Sequence, residues 1–220
     1  MNLNKHLEFF DPTLVVGKIN IIGCGALGSH VAEQLVRLGC DNLVLWDFDE
    51  VSPHNITNQI FYHDQIGQAK TTALQDTLKR INPSVNIKLK GKYEDQNLSG
   101  YVFMMVDSIQ VRNEIVNNIY TNPNVRGVFD ARMRLTDAQS YGADWTSTAN
   151  KEMLKNSMQF SSEEAKAATP VSACGTTLSV TPTVKIVSSV TVSNFMNLIT
   201  KDDVKTVILL DAFAFTINAF

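Results

Sequence analysis

The chain has 220 residues, 44% of them apolar, which is enough to bury one substantial core. A formal charge of -3 with dispersed lysines argues against a nucleic-acid surface, and no stretch of about 18 apolar residues or cationic leader points to a membrane. Cys24, Cys40 and Cys174 form no CxxC pair, so neither a disulfide framework nor a zinc cluster is expected, and the expected setting is a reducing cytoplasm.

KINII at 18–22 reads as a buried strand. Residues 26–38 place Leu27, Val31, Leu35 and Leu38 at helical spacing, and Gly39 ends the pattern. With LVLWD at 43–47 as a second strand, this forms a βαβ unit of about 30 residues. The polar loop DEVSPHN leads to IGQAKTTALQDTLKRI, read as a helix over 66–81 stopped at Asn82 and Pro83. VNIKLK alternates like a strand, YVFMMVD at 101–107 is a continuous apolar run ending in an acid, SIQVRNEIVNNIY reads as helix, and VRGVFD as another strand.

After Asp130 the texture changes. Residues 131–145 read as extended structure carrying two arginines, and 146–169 as a polar, mobile crossover. VKIVSSVTVSNFMNLI reads as a buried helix or a long β-branched segment, and VKTVILLDAFAFTINAF as two terminal strands. The fold class is therefore α/β: a Rossmann-like, doubly wound, mostly parallel sheet with additional antiparallel C-terminal strands. One domain is expected over 1–220, with 1–130 as its nucleotide-binding part and 131–220 as crossover loop and C-terminal part.

Gly23, Gly25 and Gly28 fit GxGxxG. The first permits the tight turn, the second lets backbone approach phosphate, and the third lets helix meet sheet. The helix that opens at Ala26 and Leu27 offers N–H groups and partial positive charge to an anion. Asp47, at the end of the second strand, suits a ribose hydroxyl; the plain alternative is an ordinary strand-end acid. Asp49, Asn55, Asn58, Gln59 and Lys70 follow within one connection, and Asp107 ends a later strand. Strand carboxyl ends share one crevice in such a sheet, so these side chains can converge. A lysine and a magnesium-binding aspartate beside a nucleotide suit phosphoryl chemistry, whereas hydride transfer needs neither. The plain alternatives are a solvated lysine at Lys70 and a helix cap at Asp107.

The ordered set GCGALGSH, LWDFDEVSPHN, IGQAK, INP and VDSIQVRNEI resembles the ThiF/MoeB family of adenylating enzymes, related to the activating enzymes for ubiquitin-like proteins. The resemblance covers roughly residues 15–135 strongly and the rest loosely. It implies an ATP- and magnesium-dependent adenylyltransferase that activates the C-terminal carboxylate of a small ubiquitin-like or sulfur-carrier protein, or a peptide, of Gly-Gly type, as a homodimer. By that likeness Asp47 holds the ATP ribose, Asn55 and Lys70 contact phosphates, and Asp107 binds magnesium. Where the family usually has an arginine this sequence has Asn58, and the first 36 residues contain none. Arg112, Arg132 and Arg134 are the candidate replacements.

Cys174 follows the crossover, where some members of the family carry a cysteine that takes the activated protein. It reads either as that nucleophile or as a small buried hydrophobe. Cys24 and Cys40 read as packing residues, and His6, His30, His54 and His63 as surface or capping residues. Two rivals remain: an NAD-dependent Rossmann oxidoreductase, and a nucleotide-binding adaptor without catalysis, the latter motivated by the missing arginines.

Overall fold

The computed structural model describes residues 1–167, 170–173, 177–201 and 203–220. Ile19–Ile22 (β1) is buried along its whole length, as its unbroken apolar run requires of a central strand. The chain continues through Ala26–Arg37 (α1), Asn42–Trp46 (β2), Lys70–Ile81 (α2), Asn86–Lys90 (β3), Gly100–Met104 (β4), Ile109–Ile119 (α3) and Val125–Met133 (β5). Asp137–Asp144 (β6), Thr148–Asn156 (α4), Ser162–Ala167 (α5), Thr181–Lys201 (α6), Val207–Asp211 (β7) and Thr216–Ala219 (β8) complete it.

The described strands form an eight-stranded sheet in the order β3-β2-β1-β4-β5-β6-β7-β8. Pairing is parallel from β3 to β5 and antiparallel from β5 to β8, the class expected from the sequence. Because β1 pairs with β2 on one side and with β4 on the other, strand order reverses there. That reversal opens a crevice at the carboxyl ends of β1 and β4.

Two apolar layers cover the sheet. One joins α1, α2 and α6 to it through Val31, Leu35, Leu74, Leu78, Val187 and Phe195; the other joins α3 and α4 through Ile115, Val116 and Leu154. Phe195 on α6 lies 5.2 Å from Tyr101, 5.5 Å from Phe103 and 5.6 Å from Phe129 between ring centroids, so α6 closes the core over the sheet.

Several expectations are corrected. Residues 66–69 are not helical: a short 3-10 helix ends at Gln65, Gly67 adopts φ +86°, and α2 starts only at Lys70. The polar stretch 146–169 is not a plain loop, since α4 and α5 occupy most of its described residues; Ser147 caps α4 by accepting from Asn150 N. Of the two readings open for 184–199, buried helix or long β-branched segment, the helix is the one formed, because its apolar positions face one layer of the core at helical spacing.

Candidate nucleotide site

The glycine-rich turn joins β1 to α1. Gly23 has φ +92°, and a Cβ there would lie 2.6 Å from Met105 O at the end of β4, so the turn needs glycine both for its dihedral and for the neighbouring strand. A Cβ on Gly28 would lie 1.8 Å from Gly23 O, so close helix–turn packing excludes any side chain. Gly25 differs: a Cβ there meets only Gln59 Nε2, at 3.9 Å. The protein's own packing does not require that glycine, and the space beside it is open. No side chain caps α1, so the N–H groups of its first turn, from Ala26 and Leu27, are left for an anion.

Asp47 follows β2 and is held across the turn. Its Oδ2 accepts from Cys24 N at 2.7 Å and its Oδ1 from Asp49 N at 2.9 Å. It is no free strand-end acid, yet each oxygen keeps a second acceptor site. Lys70, the first residue of α2, is buried and donates from Nζ to Asp49 Oδ2 at 2.7 Å, while Lys70 N donates to Asp49 O at 2.9 Å. The solvated-lysine alternative therefore fails.

Between these lies the 3-10 helix Pro53–Thr57. Asn55 is buried and its Oδ1 accepts from Ser52 N at 2.9 Å, which fixes the loop. Asn58 donates from Nδ2 to Ser179 Oγ at 3.0 Å, tying the loop to the segment that enters α6. Gln59, beside Gly25, has a buried Oε1 with no partner.

Asp107 lies beyond β4 and is exposed. It does not cap α3; Ser108 does, its Oγ accepting from Val111 N at 3.3 Å. Asp107 is thus left without a structural role at the helix terminus, beside the β1–α1 turn that Met105 abuts.

The candidate replacement arginines are committed elsewhere. Arg112 is buried and donates to Asp130, to Ala131 O at 3.2 Å and to Val106 O. Burial, with Arg132 nearby, lowers its pKa to about 9 against the opposing pull of Asp107. Arg132 donates from Nε to Asp130 Oδ2 at 2.7 Å and from its two terminal nitrogens to Ser157 O at 2.7 Å and Ser157 Oγ at 2.9 Å. Arg134 forks onto Asp137 in the β5–β6 turn. Asp130, wholly buried between two guanidiniums, was not singled out from the sequence. Its only sequence signal was an acid ending an apolar strand, and Arg112 stands 18 residues away.

His30 is buried, not a surface or capping residue: its Nε2 has no partner, and burial lowers its pKa. Cys24 and Cys40 are buried, and burial raises the Cys40 thiol to about 12 and Cys24 well above the ordinary value, consistent with packing roles. Cys174 lies outside the described residues. Just before and after it, Val171 and Thr177 form an antiparallel bridge. No described helix is long and apolar enough to cross a membrane.

Ubiquitin-like modifier-activating enzyme 5 of Oryza sativa subsp. japonica is 43% identical over 70 residues, 32% of this chain and 17% of the relative. Molybdopterin-synthase adenylyltransferase of Escherichia coli (strain K12) is 33% identical over 106 residues, 44% of this chain and 43% of the relative. The chain thus matches less than half the length of either relative. The crystal structure of E. coli MccB with ATP superposes with a TM-score of 0.73 at 15% identity, over 94% of this chain and 64% of that chain, a likeness of fold. The family model described as the ThiF family matches residues 12–219, every described strand of the sheet and every residue of the crevice, and the chain belongs to that family.

Proposed function

We propose that the chain is an adenylyltransferase that uses ATP and magnesium to activate the C-terminal carboxylate of a small ubiquitin-like or sulfur-carrier protein, or of a peptide. The observation that carries the reading is one crevice that holds an uncapped helix N-terminus over the open side of Gly25, the buried lysine Lys70 and the exposed Asp107. Membership of the ThiF family and the names of the two curated relatives support the same class.

The residues fit the nucleotide. The N–H groups of Ala26 and Leu27 beside Gly25 suit phosphate, Asp47 suits the ribose, and the unpartnered Gln59 Oε1 offers an acceptor next to them. Asn55 would present Nδ2 to phosphate, because Ser52 already uses its Oδ1. Asn58 and Asp49 complete the rim. Asp107 would hold magnesium, which when bound neutralises phosphate charge. Lys70, now paired with Asp49, would turn its ammonium to the phosphates when nucleotide binds.

In the reaction a carboxylate oxygen of the carrier bonds to the α-phosphorus, the bond to the bridging oxygen breaks, and pyrophosphate leaves an acyl adenylate. The nucleophile is ionised near neutrality, so no general base is needed. This chain contributes alignment and positive charge. Cys174 is proposed to take the acyl group next: its thiolate sulfur bonds to the acyl carbon and AMP leaves, giving a thioester. The proposed setting is a cytoplasmic homodimer whose 1–220 segment works as one adenylation domain, with 1–130 binding nucleotide.

The adaptor reading has its own support in Asn58, which brings no charge and is bonded to Ser179, and in the commitment of Arg112, Arg132 and Arg134 to carboxylates. Hydride transfer with NAD leaves Lys70 and Asp107 without a task. ATP–pyrophosphate exchange with carriers ending in Gly-Gly separates the three. Carrier-dependent exchange is the expected result; ATP binding without exchange favours the adaptor, and NAD binding without exchange overturns adenylation. A thiol-labile carrier adduct that disappears in Cys174→Ala assigns the acceptor, and an unchanged adduct removes Cys174 from the mechanism.

A further inference from the structure

The buried cluster beneath the crevice is built around one carboxylate. Asp130 is 0% exposed and receives one nitrogen of Arg112 on Oδ1 and two of Arg132 on Oδ2, so both of its oxygens are engaged by guanidinium groups. Arg112 extends from this anchor to Val106 O, the residue before Asp107, and to Ala131 O. Arg132 extends the other way to Ser157, which ends α4, and lies 4.5 Å over the Tyr141 ring and 5.6 Å from the centre of Phe160.

A buried ion cluster is weak evidence for stability, because removing charges from water offsets most of their attraction. Its geometry is better explained by what it holds. Asp107 has no capping bond of its own, and the carbonyl just before it is gripped by a guanidinium that cannot turn while Asp130 fixes it. We infer that Asp130 is a positioning residue: acting through Arg112, it sets the backbone at Val106 and thereby the aim of the Asp107 carboxylate at a divalent cation. Groups that orient a ligating carboxylate typically change metal affinity about 10- to 100-fold when removed. The inference rests on the reading of Asp107 as the metal holder.

Asp130→Asn alone leaves the buried Arg112 and the partly buried Arg132 against a neutral amide, which is expected to destabilise the fold, so the informative variant is Asp130→Asn with Arg132→Met. It removes one charge of each sign and keeps Arg112. Two affinities are read on folded protein, verified by circular dichroism: Mn2+ in the presence of saturating ATP by electron paramagnetic resonance, and AMP alone by calorimetry. The expected result is Mn2+ affinity weakened about tenfold or more with AMP affinity unchanged within about twofold. Arg132→Met alone, which leaves the Asp130–Arg112 pair, is expected to keep Mn2+ affinity near wild type. An unmoved Mn2+ affinity in the double variant, or an equal loss for AMP, overturns the positioning role and leaves the adenylation reading standing. A wild-type chain that binds neither AMP nor ATP overturns the nucleotide reading and the positioning role with it.

Discussion

Lys70 Nζ donates to Asp49 Oδ2 at 2.7 Å, and the lysine side chain is 10% exposed while the aspartate is 50% exposed. The pair holds a buried ammonium at the start of α2, aimed at the loop that also carries Asn55. Lys70→Met is expected to lower pyrophosphate exchange by about 10²-fold or more, the usual effect of removing one charge that stabilises a transition state. Stability should change by only about 1 kcal/mol, because the partner is half in water. Asp49→Asn, which keeps the ammonium, should retain more exchange than Lys70→Met; equal losses would assign the pair a structural role only.

The three glycines separate fold from ligand. Gly28→Ala drives a methyl group against Gly23 O and is expected to cost about 3 kcal/mol, read as a drop in melting temperature. Gly25→Ala meets nothing closer than 3.9 Å, but Gly25 is the N-cap of α1, where alanine is disfavoured, so stability should fall by only about 1 kcal/mol. Its ATP affinity should nevertheless fall at least about tenfold, since the methyl group fills the space beside the helix N-terminus. Unchanged affinity in Gly25→Ala would move the nucleotide elsewhere.

Asp107 and Ser108 are neighbours with opposite expected behaviour. Ser108→Ala removes the α3 cap and should cost about 1 kcal/mol. Asp107→Asn should lower the melting temperature only slightly, because the residue is exposed, caps nothing and loses only its field on Arg112, yet abolish divalent-dependent exchange. A destabilised Asp107→Asn with normal exchange would contradict the proposed metal role.

Burial of His30 lowers its pKa from the ordinary 6.5, with Lys185 adding to the shift and Glu33 opposing it. The folded chain therefore binds fewer protons than the unfolded chain as pH falls below about 6.5. Stability contributed by neutral His30 is fully present above that pH and is lost as pH falls through the lower folded value. Melting temperature is expected to decline from pH 7 to pH 5, and His30→Gln should flatten that decline. An equally steep decline in the variant would assign the acid sensitivity to other groups.

Strands β1, β2 and β4 and helices α1 and α3 were legible in the sequence because each couples an apolar run to a nearby boundary signal. The start of α2 was not, because Gln68 and Ala69 favour helix and a lone Gly67 is a weak stop, whereas in the fold Gly67 takes a positive φ and its N–H bonds to Val51 O. α4 and α5 were missed for a different reason: both are short and polar, and Leu154 alone among the residues of α4 is fully buried, too little for a periodic signal. In the site, Gly23 stood out by spacing, and Asp47 and Lys70 by their place after a strand and in one connection together with the family resemblance. Asp130 did not, since its meaning depends on guanidiniums that arrive from α3 and from two residues further along its own strand.

Sequence by itself determined the doubly wound class, the glycine turn and the strand-end acids, because local spacing and strand order act over a few tens of residues. Only the tertiary structure decided which of those groups stay available. It bonds Asp47 to Cys24 N–H, pairs Lys70 with Asp49, ties Asn58 to Ser179 and encloses Asp130 between Arg112 and Arg132, while Asp107 is left exposed. A side chain's chemistry is written in the sequence, but whether its hydrogen-bonding capacity is already filled depends on partners that folding brings from distant positions.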